Sequence, residues 1–225
     1  MCGRFSLQTK PSQITYALRL PAGAADQIQP RYNIAPSQPV AGILRDPHLR
    51  LDFFTWGLVP SWSKDPAFGM RMINARAETL SEKPSFKGLL RSNRCLIPAD
   101  GFYEWKNAGG RKQPYYIRLK SKAPFGFAGL WSHWCGPDGS EIRSCTIITT
   151  QPNELMASIH QRMPVILRDE AVEEWLDPSR FDRDRVLGLL RPLAAEEMEA
   201  VAVSTMVNSP ANDRAECIRG VGAGE

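Results

Sequence analysis

The chain has 225 residues, of which 43% are hydrophobic and 23% charged, and it carries a net charge of +4. This is the composition of a folded globular protein, and no apolar run approaches the roughly 20 residues that a membrane-spanning helix requires. The N-terminus also lacks the apolar stretch of a signal peptide, so we expect a cytoplasmic protein without a membrane partner.

Short elements, often interrupted by proline and glycine, are predicted along the chain. A helix is expected over residues 12–19 with Ser12 as its N-cap, followed by an ordered, proline-rich loop over 21–39. Runs rich in β-branched and aromatic residues then predict strands, and residues 107–110 are expected to form a hairpin turn. The predicted strands are 40–44, 50–55, 94–97, 101–105, 114–119, 126–131, 142–149 and 163–167, and the later helices are 85–91, 153–159, 169–176 (N-cap Asp169) and 181–191.

This pattern of many short strands with irregularly placed helices predicts an α+β fold. We expect a single domain with a curved, barrel-like, mostly antiparallel β core flanked by short helices. Because no linker divides the chain, residues 1–220 are expected to form that domain and residues 221–225 a flexible, glycine-rich tail.

The cysteines are odd in number and scattered. No two of them have C-x-x-C spacing, so we expect neither a disulfide framework nor a structural zinc site, and we predict no metal or cofactor. Four are interpreted as small core or near-core residues, namely Cys95, Cys135, Cys145 and Cys217, whereas the fifth is Cys2.

Cys2 is the most unusual position. Removal of Met1 would leave a free α-amine beside the thiol, with reference pKa values of roughly 7.7–8.0 and about 8.5. Such a 1,2-aminothiol condenses with an aldehyde in two steps, since the amine forms an imine and the thiol then closes a thiazolidine ring. The alternative is an inert cysteine in a frayed terminus.

Other polar positions have both a chemical and an ordinary interpretation. Glu104, on the same face of a predicted strand as Phe102, would have a pKa raised by desolvation and could act as an acid and base; otherwise it faces solvent. His160 follows a predicted helix, where it either serves as a proton donor or caps the helix. Asn74 and Arg76 belong to a short polar segment that could equally be a solvated loop.

Arginine accounts for 20 of the 28 basic residues. Its planar guanidinium suits phosphate and carboxylate, which favours a partner with phosphates. A genomic bias toward arginine-rich proteins explains the same excess about equally well.

Motifs along nearly the whole chain resemble one known family. They are Met-Cys-Gly-Arg-Phe (1–5), Arg-Tyr-Asn-Ile-Ala-Pro (31–36), Trp-Gly-Leu-Val-Pro (56–60), Ile-Asn-Ala-Arg-Ala-Glu (73–78), Arg-Cys-Leu-Ile-Pro (94–98) with Gly-Phe-Tyr-Glu-Trp (101–105), His-Gln-Arg-Met-Pro (160–164), and Val203-Ser204 with Val207-Asn208. In this order, from residue 1 to about 218, they resemble the SOS-response-associated peptidase (SRAP) family of abasic-site-shielding proteins.

The resemblance implies a monomer that binds single-stranded DNA in the DNA-damage response, associated with the nucleoid when bound. Cys2 would crosslink to the ring-opened aldehyde of an abasic site as a thiazolidine, with autopeptidase and abasic-site lyase activities as further expectations. Many relatives carry a second aromatic residue after the Trp62 position, where this chain has Ser63. The implied catalytic residues are Cys2, Asn74 (sugar positioning), Glu104 (acid and base) and His160 (ring opening), and the implied DNA-binding residues are Arg4, Asn33, Pro36, Trp62, Arg76 and Arg162.

Two other functions remain open from the residues alone. A cysteine N-terminal-nucleophile amidohydrolase would use the α-amine as base for its own thiol. A non-catalytic module for single-stranded DNA would not need Cys2.

Overall fold

The computed structural model describes residues 2–45, 47–168 and 170–222, apart from the side chains of residues 108 and 180. The strands are β1 (Phe5–Leu7), β2 (Arg31–Ile34), β3 (Pro39–Arg45), β4 (Leu49–Trp56), β5 (Asn74–Arg76), β6 (Arg94–Ala99), β7 (Gly101–Ala108), β8 (Arg111–Leu119), β9 (Phe125–Cys135), β10 (Glu141–Thr150), β11 (Met163–Pro164), β12 (Ile166–Leu167) and β13 (Met198–Ala202). The α-helices are α1 (Pro11–Ala17), α2 (Pro84–Lys87), α3 (Leu89–Ser92), α4 (Glu154–Ala157), α5 (Glu170–Leu176) and α6 (Arg183–Gly188). None of these helices is long and apolar enough to cross a membrane.

The strands form two sheets. One is antiparallel throughout and has the order β13-β8-β7-β1-β2. The other has the order β11-β10-β4-β3-β6-β9-β12, and β10 also pairs with β9 and runs parallel to β4 and β5. The predicted α+β fold, with a curved, barrel-like, mostly antiparallel core and short flanking helices, is therefore confirmed.

The two sheets meet at β1. Phe5 of that strand packs edge-on against Trp56 of β4 at 5.2 Å and against Phe127 of β9 at 5.8 Å, measured between ring centroids. All three side chains are buried. Burial of each ring contributes roughly 2 kcal/mol, so the core fixes the chain three residues after Cys2.

Local signals located most elements, and the predicted hairpin turn is confirmed by the pairing of Ala108 with Arg111. The prediction of Ser12 as N-cap was wrong, because α1 begins at Pro11 and Lys10 is its N-cap. Proline suits the first position of a helix, where a backbone N–H would have no partner within the helix. Asp169, the predicted N-cap of a later helix, lies outside the described residues.

The strands β1, β5 and β13 were not predicted, the helices predicted at 153–159 and 181–191 are shorter than expected, and three further segments need correction. The predicted loop 21–39 contains β2, which the prolines flank rather than interrupt. Helix 85–91 is divided at Gly88 into α2 and α3. Strand 163–167 is divided at Val165, where the chain changes its neighbour from β10 to β9.

The ends of the chain and the cysteines add two observations. Val221 donates its N–H to the carbonyl oxygen of Ala202 at 2.9 Å, so the described part of the expected tail begins hydrogen-bonded to the domain. Cys95, Cys145 and Cys217 are buried as expected, but Cys135 is exposed, because it lies on the outward face of β9 while the adjacent Trp134 is buried on the other face.

Candidate functional site

Cys2 is held in the interior by its backbone. Its side chain is fully buried, and its carbonyl oxygen accepts a hydrogen bond of 2.7 Å from Nδ2 of Asn74. The adjoining segment follows β7, since the N–H of Tyr103 donates to the carbonyl oxygen of Arg4. Burial raises the pKa of the Cys2 thiol well above its usual range, and the negative charge of Glu104 adds to this effect.

Asn74 reaches Cys2 because β5 lies parallel to β10, with Asn74 opposite Ile147. The segment 74–76 is thus a strand and not a solvated loop. The Oδ1 atom of Asn74 is buried and has no hydrogen-bond partner among the described residues. It is therefore an acceptor available to a hydroxyl or amine beside Cys2.

Glu104 lies in β7 with only 3% of its surface exposed, so the solvent-facing interpretation does not apply. Burial raises its pKa, and the nearby positive charge of His160 acts in the opposite direction. The two side chains approach each other to 4.0 Å between Oε1 of Glu104 and Nδ1 of His160. A carboxyl group with a raised pKa beside an imidazole is suited to proton transfer near neutral pH.

His160 ends the turn of α4 through its backbone and turns its ring toward Glu104. Its backbone N–H donates to the carbonyl oxygen of Met156 at 2.8 Å, which caps the single turn of α4. Its ring Nδ1 accepts the N–H of Arg162 at 3.0 Å and faces Glu104. The backbone thus orients the ring toward the carboxylate.

Arg162 is tied to the same region. Its guanidinium makes a two-pronged ion pair with Glu78, at 2.7 and 2.8 Å, and donates to the carbonyl oxygen of Thr149 at 2.7 Å. The hydrogen bonds from Arg162 lower the pKa of Glu78. Arg76, at the end of β5, is exposed at this edge, and its positive charge also contributes to the lowered pKa of Glu78.

Arg4 and Asn33 belong to a neighbouring polar cluster. The Arg4 guanidinium donates to Oδ1 of Asn33 at 2.7 Å and to the carbonyl oxygen of Val207 at 2.6 Å, and it lies 5.9 Å from the Trp105 ring centroid. Asn33 is fully buried and donates to the carbonyl oxygens of Val207, Ser209 and Asn212. Asn33 therefore orients Arg4 and is not itself accessible to a ligand.

Pro36 and Trp62 lie outside the hydrogen-bonded group that the described residues form around Cys2. Pro36 is partly buried just after β2. The Trp62 side chain is 59% exposed, and its ring centroid lies 6.0 Å from that of Phe68. The carbonyl oxygen of Ser63 accepts a 2.7 Å hydrogen bond from the Trp134 indole, so this residue anchors the loop.

Two partners of these residues were not predicted. Glu78 and Thr149 hold Arg162, yet they lie 84 and 13 residues away from it in sequence. Glu78 stands two positions after Arg76, but no local pattern indicates its contact with Arg162. Among the described residues, the one group of three or more potential metal ligands lies elsewhere, at His133, Cys135 and Glu141.

The fold and site define a class of protein: an α+β domain that buries an N-terminal cysteine beside a carboxylate–imidazole pair and an arginine-bearing sheet edge. The chain belongs to the SRAP family, since the family model described as SOS response associated peptidase (SRAP) matches residues 1–210.

Curated relatives and solved structures agree with this assignment. The chain is 51% identical to the abasic site processing protein YoqW of Bacillus subtilis (strain 168), covering 97% of this chain and 99% of that protein. It is 38% identical to the abasic site processing protein HMCES of Gallus gallus, covering 84% of this chain and 66% of that protein. A crystal structure of a protein from Bacteroides thetaiotaomicron superposes with a TM-score of 0.86 at 28% identity, covering 98% of this chain and 100% of that one.

Proposed function

We propose that the protein processes abasic sites in single-stranded DNA by forming a covalent thiazolidine crosslink through Cys2 after Met1 has been removed. The observation that carries the proposal is the geometry around Cys2: Asn74 binds its carbonyl oxygen, and Glu104 approaches His160 to 4.0 Å in the same buried group. The names of the relatives supply the substrate class.

The first step is attack of the Cys2 α-amine on the aldehyde of the ring-opened sugar. The N–C bond forms, the nitrogen gives up a proton and the carbonyl oxygen takes one up, which yields a neutral carbinolamine. Protonation of its hydroxyl group then lets water leave as the iminium forms. Glu104 is the group suited to exchange these protons, because burial raises its pKa toward the working range.

The second step is closure of the ring by the thiol. Because burial raises the thiol pKa, little thiolate exists at neutral pH, and the amine reacts first. The S–C bond forms as the iminium carbon accepts the sulfur electron pair, and the thiol proton passes to the Glu104 carboxylate.

His160 and Asn74 act on the sugar in this scheme. The Nε2–H of His160 donates to the ring oxygen of the closed sugar and favours the aldehyde, while Oδ1 of Asn74 accepts from a sugar hydroxyl. The iminium also acidifies the neighbouring C–H bond. Loss of that proton with expulsion of the 3′ phosphate is the lyase side reaction, with which ring closure competes.

The DNA strand meets arginine and an exposed aromatic residue. Arg4, Arg76 and Arg162 hold phosphates, and the exposed ring of Trp62 stacks on a base. Asn33 and Glu78 act indirectly, because they orient Arg4 and Arg162. The partly buried Pro36 shapes the path of the strand.

Intact mass spectrometry of the protein with an abasic single-stranded oligonucleotide tests the chemistry. We expect loss of Met1 and one heat-stable adduct equal to protein plus DNA minus one water for wild type, with no heat-stable adduct for Cys2→Ala. Cys2→Ala and Cys2→Ser both retain the α-amine and should give only an imine that hydrolyses on heating. An equal heat-stable yield with Cys2→Ala would overturn the assignment and favour a DNA-binding module.

The acid–base pair is tested by rates. Glu104→Gln should slow crosslinking at least about 100-fold with little change in DNA affinity, since positioned proton transfer contributes roughly 10²–10⁴-fold. His160→Gln should slow the reaction with closed abasic sugar more than with a simple aldehyde, which needs no ring opening. An equal loss of affinity and rate in Glu104→Gln would show a structural role for Glu104. Hydrolysis of amide substrates without aldehyde capture would favour the amidohydrolase.

The phosphate contacts are tested by salt dependence. Arg76→Gln should reduce the slope of log affinity against log salt by about 0.7, the value for one phosphate contact to a single strand. Arg183→Gln is the matched control, because this exposed arginine on α6 already pairs with Asp184 outside the family motifs. Equal slopes for wild type and Arg76→Gln would exclude Arg76 from the DNA contact.

A further inference from the structure

The outer face of the β9–β10 hairpin carries three side chains with different metal-binding atoms. Cys135 and Glu141 are directly opposite each other across the hairpin, and His133 lies two residues before Cys135 on the same face of β9. Nε2 of His133 is 3.1 Å from Oε2 of Glu141 and 3.8 Å from Sγ of Cys135. All three ligand atoms lie within 4.8 Å of one another.

The two distances from His133 are close to those of a tetrahedral metal site. With metal–nitrogen, metal–oxygen and metal–sulfur bonds of about 2.1, 2.1 and 2.3 Å, a tetrahedral ion separates its nitrogen and oxygen ligands by about 3.4 Å and its nitrogen and sulfur ligands by about 3.6 Å. The observed separations of 3.1 and 3.8 Å differ from these by a few tenths of an ångström. Small side-chain rotations would bring all three atoms into bonding distance.

The hairpin holds these side chains outward. Trp134, between His133 and Cys135, is buried on the opposite face and donates its indole N–H to Ser63 at 2.7 Å. The turn closes tightly, since Gly136 donates its N–H to the carbonyl oxygen of Ser140 at 2.7 Å. The site is therefore largely preorganised, which reduces the entropic cost of binding.

The surroundings leave the three ligands available. The next charged residue on this face is Arg143, opposite His133, and its guanidinium is bound to Asp52 and stacks on Phe54 and Trp131 at 5.3 Å. Asp52 thus neutralises the positive charge of Arg143 at a position away from the three ligands. The exposed fractions of the His133 and Glu141 side chains, 43% and 66%, leave a fourth coordination position open to water.

We propose that His133, Cys135 and Glu141 bind a zinc-class divalent transition-metal ion. Sulfur, imidazole and carboxylate together select zinc, cobalt or cadmium over magnesium and calcium, which prefer oxygen ligands. Binding exchanges the thiol proton for the metal–sulfur bond and releases that proton to solvent, while imidazole coordinates as the neutral form and Glu141 as carboxylate. This site is independent of the proposed DNA chemistry.

Titration of untagged, chelator-treated protein with Co²⁺ tests the proposal. We expect one ion per chain and a thiolate-to-cobalt charge-transfer absorption that Zn²⁺ displaces. Measurements in the Cys2→Ala background remove the aminothiol as a competing chelator. Cys135→Ser should abolish the charge-transfer band, and His133→Gln should weaken Zn²⁺ binding at least about 100-fold, since loss of even an outer-sphere partner costs roughly 10–100-fold.

The control is His48→Gln, an exposed histidine outside the hairpin that should leave Zn²⁺ affinity unchanged. Exposure of the altered side chains makes folding failure a minor concern, and equal urea midpoints confirm it. A band that survives in Cys135→Ser, or the absence of saturable one-to-one binding in the wild type, overturns the proposal.

Discussion

Asp100 is the residue whose replacement best tests how the N-terminal segment is held. This buried carboxylate, between β6 and β7, accepts hydrogen bonds from Ser6 Oγ at 2.5 Å, from the N–H groups of Gln8 and Thr9 at 2.6 and 2.9 Å, and from Thr9 Oγ1 at 3.0 Å. Tyr116 adds a hydroxyl at 3.2 Å. The Asp100 carboxylate thus holds the segment that follows β1 against the sheet that includes Glu104.

The expected cost of Asp100→Ala follows from these contacts. Two backbone N–H groups lose their acceptor, at roughly 1–3 kcal/mol each. The two hydroxyls of Ser6 and Tyr116 still pair with each other at 2.8 Å and add little. We therefore expect the free energy of unfolding to fall by about 4 kcal/mol. Asp100→Asn keeps one acceptor oxygen for the backbone and loses only the charge assistance, so about 1–2 kcal/mol is expected.

Urea unfolding followed by tryptophan fluorescence measures these differences. With a denaturant dependence of roughly 2–3 kcal/mol per molar urea, Asp100→Ala should lower the midpoint by about 1.5 M and Asp100→Asn by about 0.5 M. Asp138→Ala is the control, since this exposed carboxylate also accepts from a backbone N–H and a hydroxyl, both of Ser140, but water replaces it freely. An Asp100→Ala midpoint no lower than that of Asp138→Ala would refute the reasoning.

Two further predictions concern Glu104 and the glycines. Burial raises the pKa of Glu104 in the folded state, so the folded protein binds the proton more tightly and this carboxylate lowers stability increasingly as pH rises from its unfolded pKa through its folded pKa. The stability of Glu104→Gln relative to wild type should therefore increase between pH 4 and pH 8 in urea unfolding, and a constant difference would contradict it. In Gly101→Ala the new Cβ would lie 2.2 Å from the Tyr116 ring, so we expect a loss of about 2–3 kcal/mol, whereas Gly88→Ala meets nothing within 4 Å at a helical φ and should gain about 0.5–1 kcal/mol. Thermal unfolding measures both changes. Equal shifts of the melting temperature in Gly101→Ala and Gly88→Ala would show that the contact with Tyr116 does not determine the loss of stability.

Local sequence signals located every described strand of six or more residues, whereas the five-residue strand β13 was not predicted. The hairpin of β7 and β8 follows from its glycine turn, and the pairing register then fixes the face of Glu104. Its burial could not be read from the same residues, because it depends on which elements cover that face. The short strands β2 and β5 carry too few residues for a pattern to emerge.

Most of the site depends on long-range contacts that no spacing reveals. Arg4 meets Val207 across 203 residues, and Arg162 meets Glu78 across 84. Scattered cysteines argued against a zinc site in the sequence, yet pairing of β9 with β10 brings Cys135 opposite Glu141 and beside His133. The sequence motifs identified the family and its candidate site residues. The hydrogen-bond and ion-pair partners of those residues became visible only in the folded structure.

The burial of Cys2 has a consequence for the order of the proposed reaction. A thiol that is fully enclosed and whose pKa is raised by burial is a poor nucleophile and a poor target for oxidants at neutral pH. In the proposed reaction it attacks when an iminium carbon lies next to it, because that electrophile needs only the small thiolate fraction that proton transfer to Glu104 supplies. The proposed scheme therefore makes imine formation the step that selects the substrate, so selectivity for aldehydes depends on the amine and not on the sulfur.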